Sequence, residues 1–171
     1  MIYLRLTLTE QQTNPSFLEY LQEGLADILQ EVYRRRSKQE KALLRQNLKE
    51  LNLRYKTKIS TPKQYIQAVL SSLSFTLLKT NVLIIQVSPK DRYYRLIKSI
   101  ELGSYRIKTV PLLGKVLAVI PHLLEKLYTD YEMLTAKLDY YRTVDSVKYR
   151  LLTRYSLYKI SNRLQNKTKL L

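Results

Sequence analysis

The fold class is decided by one stretch, Ser74-Phe75-Thr76-Leu77-Leu78-Lys79-Thr80-Asn81-Val82-Leu83-Ile84-Ile85-Gln86-Val87. Its two ends, Ser74–Leu78 and Val82–Val87, are short apolar runs with the composition typical of β-strands. Lys79-Thr80-Asn81 between them is a plausible turn, so the stretch predicts an antiparallel hairpin. Ser88-Pro89 follows and ends the second strand.

One strand and three helical stripes are predicted before the hairpin. Apolar and polar residues alternate over Ile2–Leu8, which predicts a half-buried strand at an edge or in an extended arm. Apolar residues then recur at helical spacing over Pro15–Val32, over Ala42–Tyr55 and over Thr61–Leu73. The second of these stripes is either a continuation of the first helix or a separate helix. Asn14-Pro15 and Thr61-Pro62 are start signals for the first and third.

The residues after the hairpin return to helical spacing. Tyr93–Leu102 predicts a short helix, with Gly103 at the position where a left-handed residue is favoured. Tyr105–Val110 alternates and is either a third strand or an extended loop. Pro111–Tyr141 carries the longest apolar stripe, and Pro121 inside it predicts a kink or two consecutive helices.

A last basic helix is expected to begin with Thr143 as its N-cap. The sequence therefore predicts an α+β fold in which a small antiparallel sheet packs against helices. Residues 1–142 form the α+β domain, ending in a long kinked helix, and residues 143–171 form a basic amphipathic C-terminal helix or arm.

The charge is concentrated in two segments. The chain has 171 residues, 30 Lys plus Arg, 14 Asp plus Glu and a formal net charge of +16. Residues 34–63, the first cationic segment, carry +9, and residues 142–171, the second cationic segment, carry +7, which leaves the rest neutral. We expect these segments to contact acidic partners or DNA. The candidate basic residues are Arg34, Arg35, Arg36, Lys38, Arg150, Arg154, Lys159 and Arg163.

The residue inventory disfavours an enzyme. There is no cysteine, so thiolate metal sites and cysteine nucleophiles are excluded, and three scattered glycines build no phosphate-binding loop. His122 is the only histidine and is expected to be an ordinary helix residue. The acidic residues of the first helix recur every fourth residue, which is typical of a solvated face. No catalytic residue, cofactor or metal is predicted.

Neither a signal peptide nor a membrane span is predicted. The first residues lack a basic region followed by an apolar stretch, and the longest apolar run, Val110–Leu124, is too short to cross a bilayer. We expect a soluble intracellular or particle-associated protein. Tyr149, Tyr155 and Tyr158 interleave the second cationic segment, where they either stack on unpaired bases or bury along an apolar stripe.

The order of motifs between residues 15 and 142 resembles a known family. Tyr94 opens a segment that closes in Ile100-Glu101-Leu102-Gly103-Ser104, and Val110-Pro111-Leu112-Leu113 follows. This order is similar to that in the tail-completion, or head–tail joining, proteins of long-tailed bacteriophages. There a helix-rich half and an antiparallel sheet precede such a motif, a loop proline and a long helix. Gly114-Lys115, the long first cationic segment and the residues after Thr143 depart from the family pattern.

The resemblance implies a non-enzymatic virion protein. It implies a homo-oligomeric ring in the neck that joins the head connector to the tail, next to head-connector and tail-tube or tail-terminator proteins. DNA passing through the lumen would make non-specific contact. Tyr94, Glu101, Gly103 and Pro111 are the motif and interface residues implied.

Two points stay open from the residues alone. Glu101 either accepts backbone N–H groups, pairs with a neighbouring subunit's cation or is an exposed helix residue. The alternative to the ring subunit is a basic nucleic-acid-binding or ribonucleoprotein-associated factor that uses both cationic segments on phosphates.

Overall fold

The computed structural model describes residues 2–104 and 106–144, and within them the chain is an α+β fold. This confirms the predicted fold class. The sheet has three strands, and one long helix closes the described part of the chain. The elements in order are β1 (Tyr3–Thr7), a 3-10 turn (Gln11–Thr13), α1 (Pro15–Arg34), α2 (Lys38–Tyr55), α3 (Pro62–Ser72), β2 (Leu73–Leu78), β3 (Val82–Val87), α4 (Tyr94–Leu102) and α5 (Leu113–Val144).

The sheet is antiparallel and has the strand order β1-β3-β2. The predicted hairpin is confirmed, with Phe75 opposite Ile85, and β1 is an edge strand as expected, with Arg5 opposite Ile84. β3 lies between the other two strands and is almost wholly buried. Both β1 and β2 are therefore edges of the sheet.

Local capping explains where the first helices begin. Asn14 accepts a hydrogen bond from the Ser16 N–H at the start of α1. Ser37 and Glu40 form a capping box, which begins α2 as a separate helix, so the continuation alternative is wrong. Thr61 accepts from the Gln64 N–H at the start of α3. Each cap satisfies a donor that the helix itself leaves unpaired.

α5 differs from the predictions in three ways. It begins at Leu113 rather than at Pro111, because Pro111 belongs to the loop that precedes it. It runs through Pro121 as one helix, so the two-helix alternative is wrong. It also continues through Thr143 to Val144, so the N-cap predicted at Thr143 is wrong. The predicted basic helix after that point lies outside the described residues.

The segment before α5 is mainly a loop. Between α4 and α5 the described residues form one isolated bridge, between Ser104 and Ile107. A strand of six residues over Tyr105–Val110 is therefore not formed, and the loop alternative is confirmed for the part that the structure describes.

The core lies between the sheet and the helices. α1 and α5 are antiparallel, since Arg36 after the end of α1 contacts Pro111 before α5, and the Phe17 ring packs edge-on against Tyr128 at 5.1 Å. Leu83 and Ile85 of β3 are fully buried beneath them. The last buried core residue of the described chain is Leu127. Tyr131 and Leu134 further along α5 still pack partly against the core, and residues 135–142 beyond them, about 12 Å of helix, are largely exposed.

Candidate functional site: the joint between α4 and α5

Gly103 ends α4 with a backbone conformation that favours glycine. Its φ is 78° and its ψ is 171°, and this combination is energetically unfavourable for any residue that has a β-carbon. The Gly103 N–H donates to the Ser99 carbonyl at 3.0 Å, which completes the last helical turn. The positive φ predicted for Gly103 is confirmed, and it turns the chain out of α4 into the loop.

Glu101, two residues earlier, caps α5 from another helix. One carboxylate oxygen, Oε1, accepts the N–H groups of Leu112 at 3.2 Å and Leu113 at 3.1 Å. The other, Oε2, accepts the N–H of Gly114 at 3.1 Å. These donors have no partner within the helix, and the N-terminal end of the helix dipole favours a negative group. Of the open roles for Glu101, acceptance of backbone N–H groups is the one the structure shows.

The carboxyl of Glu101 is buried and also meets Tyr65 of α3. Its exposed fraction is 4 %, so it is not an exposed helix residue, and the fully buried Tyr65 hydroxyl donates to Oε1 at 2.9 Å. Burial raises the pKa of Glu101, although the four hydrogen bonds oppose this change. Burial and the neighbouring carboxyl raise the pKa of Tyr65. The Tyr65 hydroxyl therefore stays a hydrogen-bond donor at ordinary pH.

Arg36, at the corner between α1 and α2, and Asn47, on α2, bind the loop that joins α4 to α5. Arg36 donates through Nη2 to the Pro111 carbonyl at 2.8 Å, and through Nη1 it pairs with Glu40 at 3.3 Å. Asn47, which is buried on α2, donates to the Lys108 carbonyl at 2.7 Å. We call the set of Arg36, Asn47, Tyr65, Glu101 and Gly103, with the loop they bind, the α4–α5 joint.

The basic residues predicted at the start of the first cationic segment differ in exposure. Arg34 and Arg35 both pair with Glu31, at 2.7 and 2.8 Å, and hydrogen bonding from Arg34 lowers the pKa of Glu31 despite its burial. The side chain of Arg34 is 69 % exposed, whereas that of Arg35 is only 23 % exposed. Lys38 is exposed. Arg34 and Lys38 are therefore the most accessible to a partner in this group.

The other predicted site residues do not all gather at the joint. Glu101, Gly103 and Pro111 belong to it, and Tyr94 lies at the opposite end of α4, partly buried against the core. The ammonium of Lys98 lies 5.9 Å from the centre of the Tyr94 ring. Arg150, Arg154, Lys159 and Arg163 lie outside the described residues.

Sequence reasoning missed Arg36, Asn47 and Tyr65 as parts of the joint. Tyr65 lies in the apolar stripe of Thr61–Leu73, and nothing in its sequence neighbours indicates that its hydroxyl meets a carboxylate 36 residues away. The sequence predicts that Arg36, like its basic neighbours, contacts a partner or DNA, whereas the structure shows that it binds a carbonyl 75 residues away. A buried tyrosine normally finds a hydrogen-bond partner, which is the one general signal for Tyr65.

The α4–α5 joint is held by hydrogen bonds from side chains to backbone groups and between side chains. No group of three or more histidine, aspartate or glutamate side chains among residues 2–104 and 106–144 could hold a metal ion. His122 is exposed. In the same part of the chain no helix combines the length and the apolar character needed to cross a membrane. What the joint does is position the start of α5 relative to α2, α3 and α4.

Comparisons with protein-family models, with curated proteins and with solved structures found no match for this chain.

Proposed function

We propose that this protein is a non-enzymatic structural subunit of a bacteriophage neck ring, which joins the head connector to the tail. The proposal starts from the resemblance to tail-completion proteins. The observation that supports it most is the position of Glu101, since the short string Ile100-Glu101-Leu102-Gly103-Ser104 coincides with the joint that caps α5. A motif that sets the angle of a long helix suits a subunit whose neighbours must meet at a fixed angle.

The arrangement of the described surface suits assembly. The second half of α5 contacts the core only partly and exposes apolar side chains, with Met133 51 % and Tyr140 60 % exposed. In a ring, one surface of each subunit docks on a different surface of the next until the ring closes. The partners we propose are copies of the chain, a head-connector protein and a tail-tube or tail-terminator protein, all within a virion. DNA in the lumen would make only non-specific contact.

The mass of the full chain in solution tests the ring. We expect native mass spectrometry and light scattering to find one closed oligomer of defined stoichiometry, and negative-stain images to show rings. Binding to DNA should be weak and unselective, because a passage must not retain DNA. A monomer at micromolar concentration that binds DNA with a steep salt dependence would contradict the proposal.

A nucleic-acid-binding factor is the second candidate, and the exposed side of α2 favours it. Arg45, Lys49 and Arg54 are exposed on this helix, and none forms an ion pair within residues 2–104 and 106–144. Clustered cations of this kind bind phosphates without a sequence motif. Replacing these three residues by glutamine should then make the plot of the logarithm of the binding constant against the logarithm of salt concentration less steep, by the amount expected for the loss of about three phosphate contacts. An unchanged slope in a variant that still folds would exclude this surface.

A further inference from the structure

Among the described residues, the edge formed by β2 has main-chain groups that no other strand pairs with. The Ser88 N–H donates to the Ser72 carbonyl at 2.8 Å. This bond shows which alternate residues of β2 form hydrogen bonds with β3. Even-numbered residues of β2 therefore bond to β3, whereas the N–H and C=O groups of Phe75 and Leu77 are directed away from it. Within the described residues no strand pairs with this edge. The edge lacks a charge or a proline, and Leu77 is 41 % exposed.

A groove lies directly beside this edge. It has a volume of about 390 Å³ and is bounded by α1, α3 and the first half of β2. Leu25, Leu70 and Phe75 supply apolar lining, and Glu23 lies at its rim. A strand that added to β2 would place alternate side chains in this groove, as in other cases of β-strand addition, where main-chain bonds give affinity and pockets give specificity.

Negative charge lies at the groove and next to it. Glu23 lines the groove, Asp27 lies one helical turn further along α1, and neither forms an ion pair within residues 2–104 and 106–144. Burial and the charge of Glu23 raise the pKa of Asp27, so a nearby cation would be favourable. This is unusual in a chain with a net charge of +16. The groove therefore suits an extended segment that is apolar on one side and cationic on the other.

We propose that the β2 edge and its groove bind residues 145–171 of a second copy of this chain. Val147, Tyr149 and Leu151 alternate with basic residues in this segment, so an extended conformation has one apolar and one cationic side. The α2 surface of a second copy is cationic as well, but its only large exposed apolar side chain is Leu53.

The length and attachment of the segment allow exchange between copies. The segment is 27 residues long and continues from residues 135–142 of α5, which are largely exposed, so it has the reach to contact a second copy. The inference rests on the self-association that the proposed function requires, and it names two docking surfaces for that association.

Charge reversal in the full chain tests the pairing of the two surfaces. We expect the double variant Glu23→Lys/Asp27→Lys to weaken self-association about tenfold or more, and the triple variant Lys148→Glu/Arg150→Glu/Arg154→Glu to do the same. All five substitutions in one chain should restore association. The matched control is Glu50→Lys, which reverses an exposed carboxylate on α2 and should associate like the original protein.

A second pair of variants tests the main-chain contact. Leu77→Pro removes an outward N–H but leaves the β2–β3 hydrogen bonds, which use the even-numbered residues of β2. Leu77→Thr keeps that N–H and has good strand propensity. Sedimentation velocity should show weakened association for the proline variant alone, and circular dichroism should show that both variants fold.

The outcomes separate this inference from the ring proposal. Closed rings that survive Leu77→Pro and both charge reversals would overturn the inference and leave the ring intact. Open oligomers that these variants dissociate would support the inference and contradict the ring. A full chain that is monomeric at every concentration, with the C-terminal segment bound within its own subunit, would overturn both.

Discussion

At the scale of single residues, Glu101 makes the contacts with the clearest energetic consequence. Glu101→Ala leaves the Tyr65 hydroxyl and three backbone N–H groups without their acceptor in a buried place. We expect a loss of about 3 kcal/mol in the free energy of unfolding, measured by urea denaturation. Tyr65→Phe removes one hydrogen bond and should cost about 1 kcal/mol. Glu125→Ala on the exposed side of α5 is the control, and an equal effect there would contradict the role of Glu101.

The pH dependence of stability follows from the same carboxyl. Its pKa is raised in the folded protein from the ordinary value of 4.5, so the folded state binds this proton more tightly than the unfolded chain does. The stability that the folded protein gains by binding this proton more tightly is fully present below that ordinary pKa, and it is lost as pH rises through the folded pKa. As pH rises from the ordinary pKa through the folded pKa, we therefore expect the free energy of unfolding of the original protein to fall relative to that of Glu101→Gln. Asp27 titrates in the same direction but is common to both proteins, so it cancels. A constant difference across pH would contradict this expectation.

At the scale of elements, the exit from α4 depends on Gly103. Gly103→Ala should destabilise the fold by about 1–3 kcal/mol, because alanine disfavours a φ of 78° combined with a ψ of 171°. The nearest atom to an added β-carbon is Thr109 Oγ1 at 3.6 Å, so the cost comes from the backbone and not from a clash. Thermal unfolding measures it, with Ser104→Ala as the neighbouring control. Equal melting temperatures for the two variants would show that α4 can end without glycine.

The packing of the α1–α2 corner against the start of α5 depends on Arg36. Its guanidinium reaches Glu40 and the Pro111 carbonyl together, and a lysine ammonium cannot reproduce that fork. We expect Arg36→Lys to cost about 1 kcal/mol in chemical denaturation. Arg45→Lys on the exposed side of α2 should be neutral. A cost shared by both variants would indicate a general effect of the α2 charge.

At the scale of the whole molecule, folding and assembly should be separable. The buried core of the described chain ends at Leu127, so truncation after Arg142 removes none of it. We expect the truncated chain to unfold cooperatively near the original temperature but to assemble poorly with its partners. Calorimetry and light scattering on the same samples would measure both properties. Loss of cooperative unfolding would show that residues 143–171 belong to the core.

Much of the architecture could be predicted from local pattern. The hairpin, the edge position of β1 and the helices up to α4 follow from periods of two and of about 3.6 residues, and from caps such as Thr61. The bounds of α5 were less predictable, because tertiary packing carries the helix through Pro121 despite its missing N–H. The positive φ of Gly103 could also be predicted from local sequence, since it depends only on the end of a helix and on the absence of a β-carbon.

The amino-acid sequence by itself determined the α+β class, the order of the elements and the division of charge into two segments. Each of these depends on residues that are close together in the chain. Only the tertiary structure decided that Glu101 caps α5, that Tyr65 completes this contact and that Arg36 holds Pro111. These hydrogen bonds join distant segments, and their geometry arises when the helices pack over the sheet, which no local spacing encodes.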